Sequence, residues 1–536
     1  MLRARSLHPV RIWKRSRILS NLSGNCDRTF TRSISIDSRP SQSIPYNVGQ
    51  PTHETRPHYL PTPGNLTPSI SALEYYNRRL ALASKMPSKS IAILVGADVR
   101  YSSGSVFYEF QQDNDLYYMT GWLEPHSVAI VEKRADNGDD DDVVLHMLVP
   151  PKNPQTELWE GERLGLEGAY DYFNADFVED IDSARKHILQ LLERNDYVFW
   201  DDKLVLAKLT VGSRFLSFFT GSNAPSATAS SIAELIKSSG KLIQPLAGKI
   251  AEQRAVKSEA EIKVMHVAAQ ISSRAINKAM AKVGSESPIY TEKTLAKYLD
   301  YQFVKGGCDK LAYIPVVASG KNALTIHYTR NDDLLYRDEL VFIDAGGKLG
   351  GYCADISRTW PNSPRGFTQP QRDIYEAVLN TNRKCIDMCD ESKGYSLHDI
   401  HEFSIKCLLE ELRNLPGFSG VSQNEVARTL YPHYIGHHLG LDLHDIPSVS
   451  RFKRLVEGNV ITIEPGLYIP QDNKWPKHFQ GIGVRVEDDI VVGSTQDEII
   501  NLSSGCVKEV ADIEALISSG NATTPGIDEE LVILDI

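Results

Sequence analysis

Residues 340–359 read LVFIDAGGKLGGYCADISRT. Asp344 closes one apolar run, Asp355 lies in a second, and the glycine-rich KLGG between them is turn material. Folded as a hairpin with its turn at 349–350, the segment sets the two carboxylates against each other across adjacent strands. Like charges directly opposite are destabilising unless a cation lies between them. This one stretch therefore points to antiparallel strands that carry a metal site.

Three later segments supply donors of the same kind. YPHYIGHHLGLDLHD (431–445) clusters His433, His437, His438 and His444 among glycines. In VITIEPGLYI (460–469) an apolar strand meets Glu464 just before a Pro-Gly turn, and in GIGVRVEDDIVV (481–492) Arg485 and Glu487 alternate on one strand face. A buried strand rarely places Glu in this way without a partner. Each element alone has an ordinary explanation: Asp344 as a turn cap, His437 as a satisfied core histidine, Glu487 as the partner of Arg485. Together, the order Asp344, Asp355, His437, Glu464, Glu487 is far more specific. Four carboxylates and one imidazole form a hard, oxygen-rich set suited to Mn²⁺, Co²⁺ or Zn²⁺ rather than to a thiolate-bound metal. Four acids can neutralise two divalent cations, which bridging carboxylates would hold about 3.5–4 Å apart.

A chain of 536 residues exceeds one hydrophobic core and implies two sizeable domains plus tails. With 41% hydrophobic and 24% charged residues, the composition is that of an ordinary globular protein. It contains no run of eighteen apolar residues, so no transmembrane segment is expected. A net charge of −11 gives no support to nucleic-acid binding. The seven cysteines (Cys26, Cys308, Cys353, Cys385, Cys389, Cys407, Cys506) lack metal-finger spacing and suit a reducing compartment. Cys385 and Cys389, one helical turn apart, read as helix packing.

Residues 1–40 differ in character. They carry nine Lys/Arg against Asp27 and Asp37, with frequent serines and interspersed apolar residues such as Leu2, Ile12, Trp13 and Ile18. A basic, serine-rich, acid-poor arm is the signature of a mitochondrial transit peptide, with a disordered basic arm as the alternative. The expected layout is a transit peptide and basic arm over 1–45 and a Pro/Ser/Thr-rich linker over 46–64. An α/β domain over 65–245, a second domain of alternating helices and antiparallel strands over 246–515 and a tail over 516–536 follow. In the first domain a helix is expected from Ala72 and buried strands at SIAILVGA, HSVAIVEKR and VVLHMLVP. The acidic insert ADNGDDDD between the last two reads as a solvated hairpin loop, because consecutive aspartates cannot all converge on one ion. A long helix opens the second domain, with Ser258 and Glu261 spaced as a capping box.

At FIDAGG, ADISRT, GHHLGLDLHD, TIEPGLYI and GVRVEDDI the sequence resembles the aminopeptidase P (Xaa-Pro aminopeptidase) branch of the pita-bread metallopeptidases. Upstream, DLYYMTGWLEP and ELWEGERLG resemble that family's accessory domain, and the segment with Arg254, Lys257 and Glu261 resembles the start of its catalytic domain. The resemblance covers about residues 65–510. It implies an α/β (α+β) protein with an N-terminal creatinase-like domain and a C-terminal pita-bread catalytic domain. It also implies two divalent metal ions, Mn²⁺ first among them, held by Asp344, Asp355, His437, Glu464 and Glu487. In that scheme Asp355 and Glu487 bridge, Asp344 serves one metal, and His437 with Glu464 serves the other. His327 and His444 are the expected substrate-side histidines and His433 lines the pocket. Glu464 shuttles the proton, while Tyr468 and Arg485 orient Asp344.

The implied substrate is a peptide or protein N-terminus with a free α-amino group, cut after its first residue and favouring proline second. The basic N-terminus matches the mitochondrial, intermediate-cleaving branch of the family, which trims one residue from processed precursors in the matrix or at the matrix face of the inner membrane. A homo-oligomer, dimer or tetramer, is expected. The sequence departs from the family in DVRYSSGSVFYEFQQDNDLYY (98–118) and at His438, neither of which touches the ligand set. The rivals are prolidase, which uses the same ligands on dipeptides, and methionine aminopeptidase, which lacks the accessory domain. Creatinase and metal-free pita-bread binding proteins would not retain all five ligands.

Overall fold

The computed structural model describes residues 49–139, 142–201 and 227–520. The basic arm, the centre of the acidic insert and the acidic tail lie outside these residues. The N-terminal half is built on a six-stranded mixed sheet, whose strands run in the order 242–244, 197–199, 90–95, 128–133, 143–149, 177–180. Period-two alternation along its central strands feeds two separate cores. Ile91, Ile93, Val128 and Ile130 pack against the helix Ala184–Arg194 and the one that follows at Ala227–Ser238. Ala92, Leu94, Ala129 and Val131 face the opposite way, towards Tyr75 and Leu82 of the helix Ala72–Ser84. The acidic insert joins an antiparallel pair, as its sequence predicts. Asp142 spends its carboxylate on the loop's own backbone, accepting from the amides of Asn137 at 2.6 Å and Gly138 at 2.7 Å.

Two helices lead into the C-terminal half: α1 (Ala247–Ala255) and α2 (Glu259–Ala281). The predicted capping box opens α2, with Ser258 and Glu261 satisfying each other's backbone amides. The second apolar core lies against α2 but does not stop at the domain boundary: Leu349, Tyr352, Leu439 and Leu441 join Tyr75, Trp122 and Phe173 of the first half.

Two long hairpins carry the four acidic motifs, and each is broken halfway along. The first runs from β1 (Leu340–Asp344) through β2 (Gly347–Leu349), turns, and returns through β3 (Tyr352–Cys353) and β4 (Ser357–Pro361). The second runs from β5 (Val460–Ile463) through β6 (Gly466–Tyr468) and returns through β7 (Gly483–Arg485) and β8 (Asp488–Val491). The first turn falls on Gly350 and Gly351, both at positive φ, one residue later than the spacing suggests. In register, Asp344 lies opposite Ser357 rather than opposite Asp355, which sits in the break between β3 and β4. Glu464 and Glu487 occupy the corresponding breaks of the second hairpin, so GIGVRVEDDIVV is two short strands rather than one.

A buried arginine fastens the hairpins together. Arg358 is fully buried and donates to Asp488 Oδ1 at 2.8 Å and to the Glu487, Ser357 and Cys506 carbonyls. Lys508 reaches the other Asp488 oxygen at 2.6 Å. These cations hold the Asp488 carboxyl well below its ordinary value despite burial, which acts the other way. Removing one partner of such a group strands the rest without compensation. Asp488→Ala is expected to cost about 3–5 kcal/mol in the unfolding transition of the C-terminal half. A urea titration followed by tryptophan fluorescence checks this, and a loss below about 1 kcal/mol would show that the fastening contributes little.

Candidate metal centre

The strand breaks bring the predicted donors together. Ligand atoms of Asp355, His437 and Glu487 lie within 4.8 Å of one another. His437 Nε2 stands 3.3 Å from Asp355 Oδ2 and 3.8 Å from Glu464 Oε1. Asp344 joins through Tyr313, whose hydroxyl lies between Asp344 Oδ1 and Asp355 Oδ1, 2.6 Å from the latter. The ring of His437 is set by its other nitrogen: Nδ1–H donates to the His438 carbonyl at 2.9 Å, so Nε2 is the nitrogen that faces the carboxylates.

A chain of hydrogen bonds orients the acids from behind. Arg485 Nη2 donates to Asp344 Oδ2 at 2.5 Å, and its Nε donates to Ser357 Oγ at 2.9 Å. The Ser357 hydroxyl in turn donates to Glu487 Oε2 at 2.6 Å. Arg485 Nη1 donates to the Tyr468 hydroxyl at 3.1 Å, which donates in turn to His433 Nε2 at 2.9 Å. His433 Nδ1 donates to the Tyr434 carbonyl, so both of its nitrogens are committed to this chain. Arg485 thus lies against Asp344, Tyr468 against Arg485, and His433 against Tyr468 on the far side. His444 packs edge-on to His437 with ring centroids 4.4 Å apart. His327 is near enough to Arg485, His433 and His444 to share their electrostatic field.

Tyr313, Ser357 and Thr462 complete the site, although the sequence pattern does not single them out. Thr462 Oγ1 accepts from the His437 amide at 3.1 Å and lies 3.4 Å from Glu464 Oε1. Ser357 and Thr462 each sit two residues from a candidate ligand, Asp355 and Glu464, in the strand beside its break, and a polar residue in such an apolar strand is a readable signal. Tyr313 lies 31 residues before Asp344 in a stretch with no pattern to mark it.

The charges show what this cavity needs. Burial pushes the Asp344 carboxyl up to about 7, with the Asp355 charge adding to it and Arg485 opposing. Burial and the neighbouring acids raise Glu487 well above its ordinary range, and burial also raises Glu464. Only Asp355 is held low: burial would raise it, but the hydrogen bond and charge of His437 outweigh that. Arg485 is the one permanent cation in contact with these four acids among the described residues. A buried, carboxylate-rich site with one aimed imidazole and a residual negative charge fits two divalent ions.

A metal must displace any proton held on the raised carboxyls of Asp344, Glu464 and Glu487, so affinity should rise with pH. Adding Mn²⁺ to metal-stripped protein is expected to release at least about one proton per protein at pH 6.5 and fewer at pH 8.0. Calorimetric titration in buffers of different ionisation heat reads this directly. Proton release that does not fall between the two pH values would contradict raised carboxyl groups.

Comparison with known proteins agrees with this geometry. Residues 263–494 match metallopeptidase family M24, and residues 75–200 match the aminopeptidase P N-terminal domain. The chain is 48% identical over 511 residues to intermediate cleaving peptidase 55 of Saccharomyces cerevisiae, covering 95% of this chain and 94% of that one. It is 32% identical over 489 residues to the mitochondrial intermediate cleaving peptidase 55 of Arabidopsis thaliana, covering 91% of each. The crystal structure of Icp55 from Saccharomyces cerevisiae superposes with a TM-score of 0.76 at 47% identity, covering 85% of this chain and all of that one. All the candidate ligands and pocket residues read from the sequence, from His327 to Glu487, fall inside the M24 match. The chain therefore belongs to the aminopeptidase P family of M24 metallopeptidases, enzymes that use divalent metal ions, and is a metalloaminopeptidase.

Proposed function

We propose that this enzyme removes a single N-terminal residue from precursor proteins already shortened by a processing peptidase, in the mitochondrial matrix or at the matrix face of the inner membrane. The observation that carries the chemistry is the convergence of Asp355, His437 and Glu487 on one point, with Asp344 and Glu464 beside them. The basic, serine-rich residues 1–45 support the location, as does the likeness to intermediate cleaving peptidases, one of them named mitochondrial. In this reading residues 65–245 form the accessory domain and 246–515 the catalytic domain. The helix Pro154–Glu160 buries none of its side chains and leaves Leu158 and Trp159 exposed, which supports the expected homo-oligomer.

Asp344, Asp355, His437, Glu464 and Glu487 would hold two divalent ions, Mn²⁺ by preference for a hard oxygen-rich set. When bound, these ions supply Lewis acidity and lower the pKa of a water at the site. Glu464, raised by burial, is poised to take the proton from the attacking water and deliver it to the leaving nitrogen. Water then adds across the amide: its oxygen goes to the carbonyl carbon and the C–N bond breaks as the proton arrives. Burial holds His444 neutral, with its ordinary value lowered to about 3, and it lowers His327 as well. Neutral imidazoles offer N–H donors to a developing oxyanion without adding charge to the pocket.

The test is Mn²⁺-loaded protein beginning at residue 46, given matched X-Pro and X-Ala peptides and an X-Pro dipeptide, with products read by mass spectrometry. One residue should be released from the longer peptides, and the Pro/Ala ratio reports how far the demand for proline is relaxed. Glu464→Ala should lower the rate by about 10³-fold or more. Cleavage of the dipeptide alone would favour the prolidase reading, and no release from any substrate by folded, metal-loaded protein would overturn the assignment.

A further inference from the structure

The loop 436–446 carries both His437 and His444; backbone bonds to Val460, Thr462 and Cys353 hold its 437–440 stretch, while the 442–445 turn has backbone bonds to His438 and Gly440 of the same loop. It is gripped from outside by a cluster of charges that joins both halves of the molecule. Arg254, on the last turn of α1, donates to three carboxylates: Asp445 at 2.5 Å, Asp442 at 2.7 Å, and Asp115 of the N-terminal half at 2.7 Å. Lys257 adds a bond to the second Asp445 oxygen at 3.0 Å, with both side chains 1% exposed. Asn114, next to Asp115, donates to Asp442 Oδ1 at 2.6 Å and to the Leu441 carbonyl at 3.2 Å. The loop is drawn tight enough that a Cβ at Gly440 would meet Asp445 Oδ2 at 2.5 Å. Asp442 and Asp445 bracket His444, whose ring turns the other way, onto His437.

We infer that Arg254 is a positioning residue for the peptidase reaction: with Lys257, and braced by Asp115 and Asn114, it holds the 442–445 turn so that His444 meets the reacting carbonyl. The inference rests on the reading of His444 given above. Arg254 touches neither the candidate metal ligands nor, in that reading, the substrate, so its effect must travel through the turn. Three acceptors spread around one guanidinium define the turn's orientation as well as its distance, which a single point charge could not do. Because one acceptor belongs to the N-terminal half, the same contact makes the placement of His444 depend on how that half is docked.

A double-mutant cycle on the full chain tests this, using Mn²⁺ and an X-Pro peptide. Arg254→Met should lower kcat by about tenfold or more, since small misplacements of a reacting group are costly, and leave KM within about threefold. His444→Ala should do likewise. The decisive arm is the double variant. If Arg254 acts through His444, the second substitution adds less than about threefold. Asp442→Asn, at a half-exposed side chain, removes one limb of the cluster and should show a smaller kcat loss that also vanishes in the His444→Ala background. That variant decides the matter should Arg254→Met fail to fold. Deficits that multiply with that of His444→Ala, or wild-type kcat in both Arg254→Met and Asp442→Asn, overturn the inference. A wild-type rate in His444→Ala instead removes the reading on which it stands.

Discussion

The mutual repulsion of four largely buried carboxylates is the constraint around which the rest of the molecule is arranged. Regular strands cannot converge their side chains on a point, because successive residues alternate faces and neighbouring strands run parallel to the sheet plane. The chain meets this by interrupting two hairpins at matching places. Asp344 and Asp355 flank one break, Glu464 and Glu487 the other, and the flanking strands stay paired, so each acid leaves a rigid support. Arg485 is then not an ordinary ion-pair partner. It binds one acid directly, a second through Ser357 and a phenol through Nη1, fixing directions that repulsion would otherwise scatter.

Because like charges are gathered in the centre, the compensating cations are placed with care. Arg358 and Lys508 neutralise Asp488 on the side of β8 away from the site, and Arg254 and Lys257 neutralise Asp445 behind the histidine loop. Neither pair binds a carboxylate of the candidate ligands, where it would lessen the site's demand for metal; Arg358 reaches Glu487 only at its backbone carbonyl. Charge of both signs is thus buried in layers, and each layer joins segments far apart in sequence: hairpin to hairpin, and N-terminal half to histidine loop. The continuous apolar core through Tyr75, Trp122, Tyr352 and Leu441 gives the last of these a stiff base.

How much of this the sequence disclosed follows from the range of each interaction. The four acidic candidate positions were legible because acids in apolar runs carry a desolvation cost that only a partner explains. The capping box at Ser258 and Glu261 was legible because it is local. The breaks in the hairpins were not, since an alternating pattern continues smoothly across Val486 and Glu487 while the backbone pairing does not. The same limit hid Tyr313, whose contacts with Asp344 and Asp355 are made 31 and 42 residues away. The role of His433 depends on Tyr468 and a backbone carbonyl, neither of which spacing can assign.

The histidines show why these layers matter for chemistry. Five histidines crowd the centre, and four of them, His327, His433, His438 and His444, are shifted towards the neutral form, chiefly by burial. Only His437 is shifted the other way: burial would lower it, and the bond to Asp355 overrides that. His437, which faces Asp355 and Glu464, is thus the imidazole whose protonated form the acids favour, while the four around it are shifted towards uncharged donors or acceptors. Arg485 adds to the effect of burial at His327 and His433, because its charge repels their protonated forms. The arginine therefore does two things together: it directs Asp344, and it adds to the burial that keeps His327 and His433 neutral.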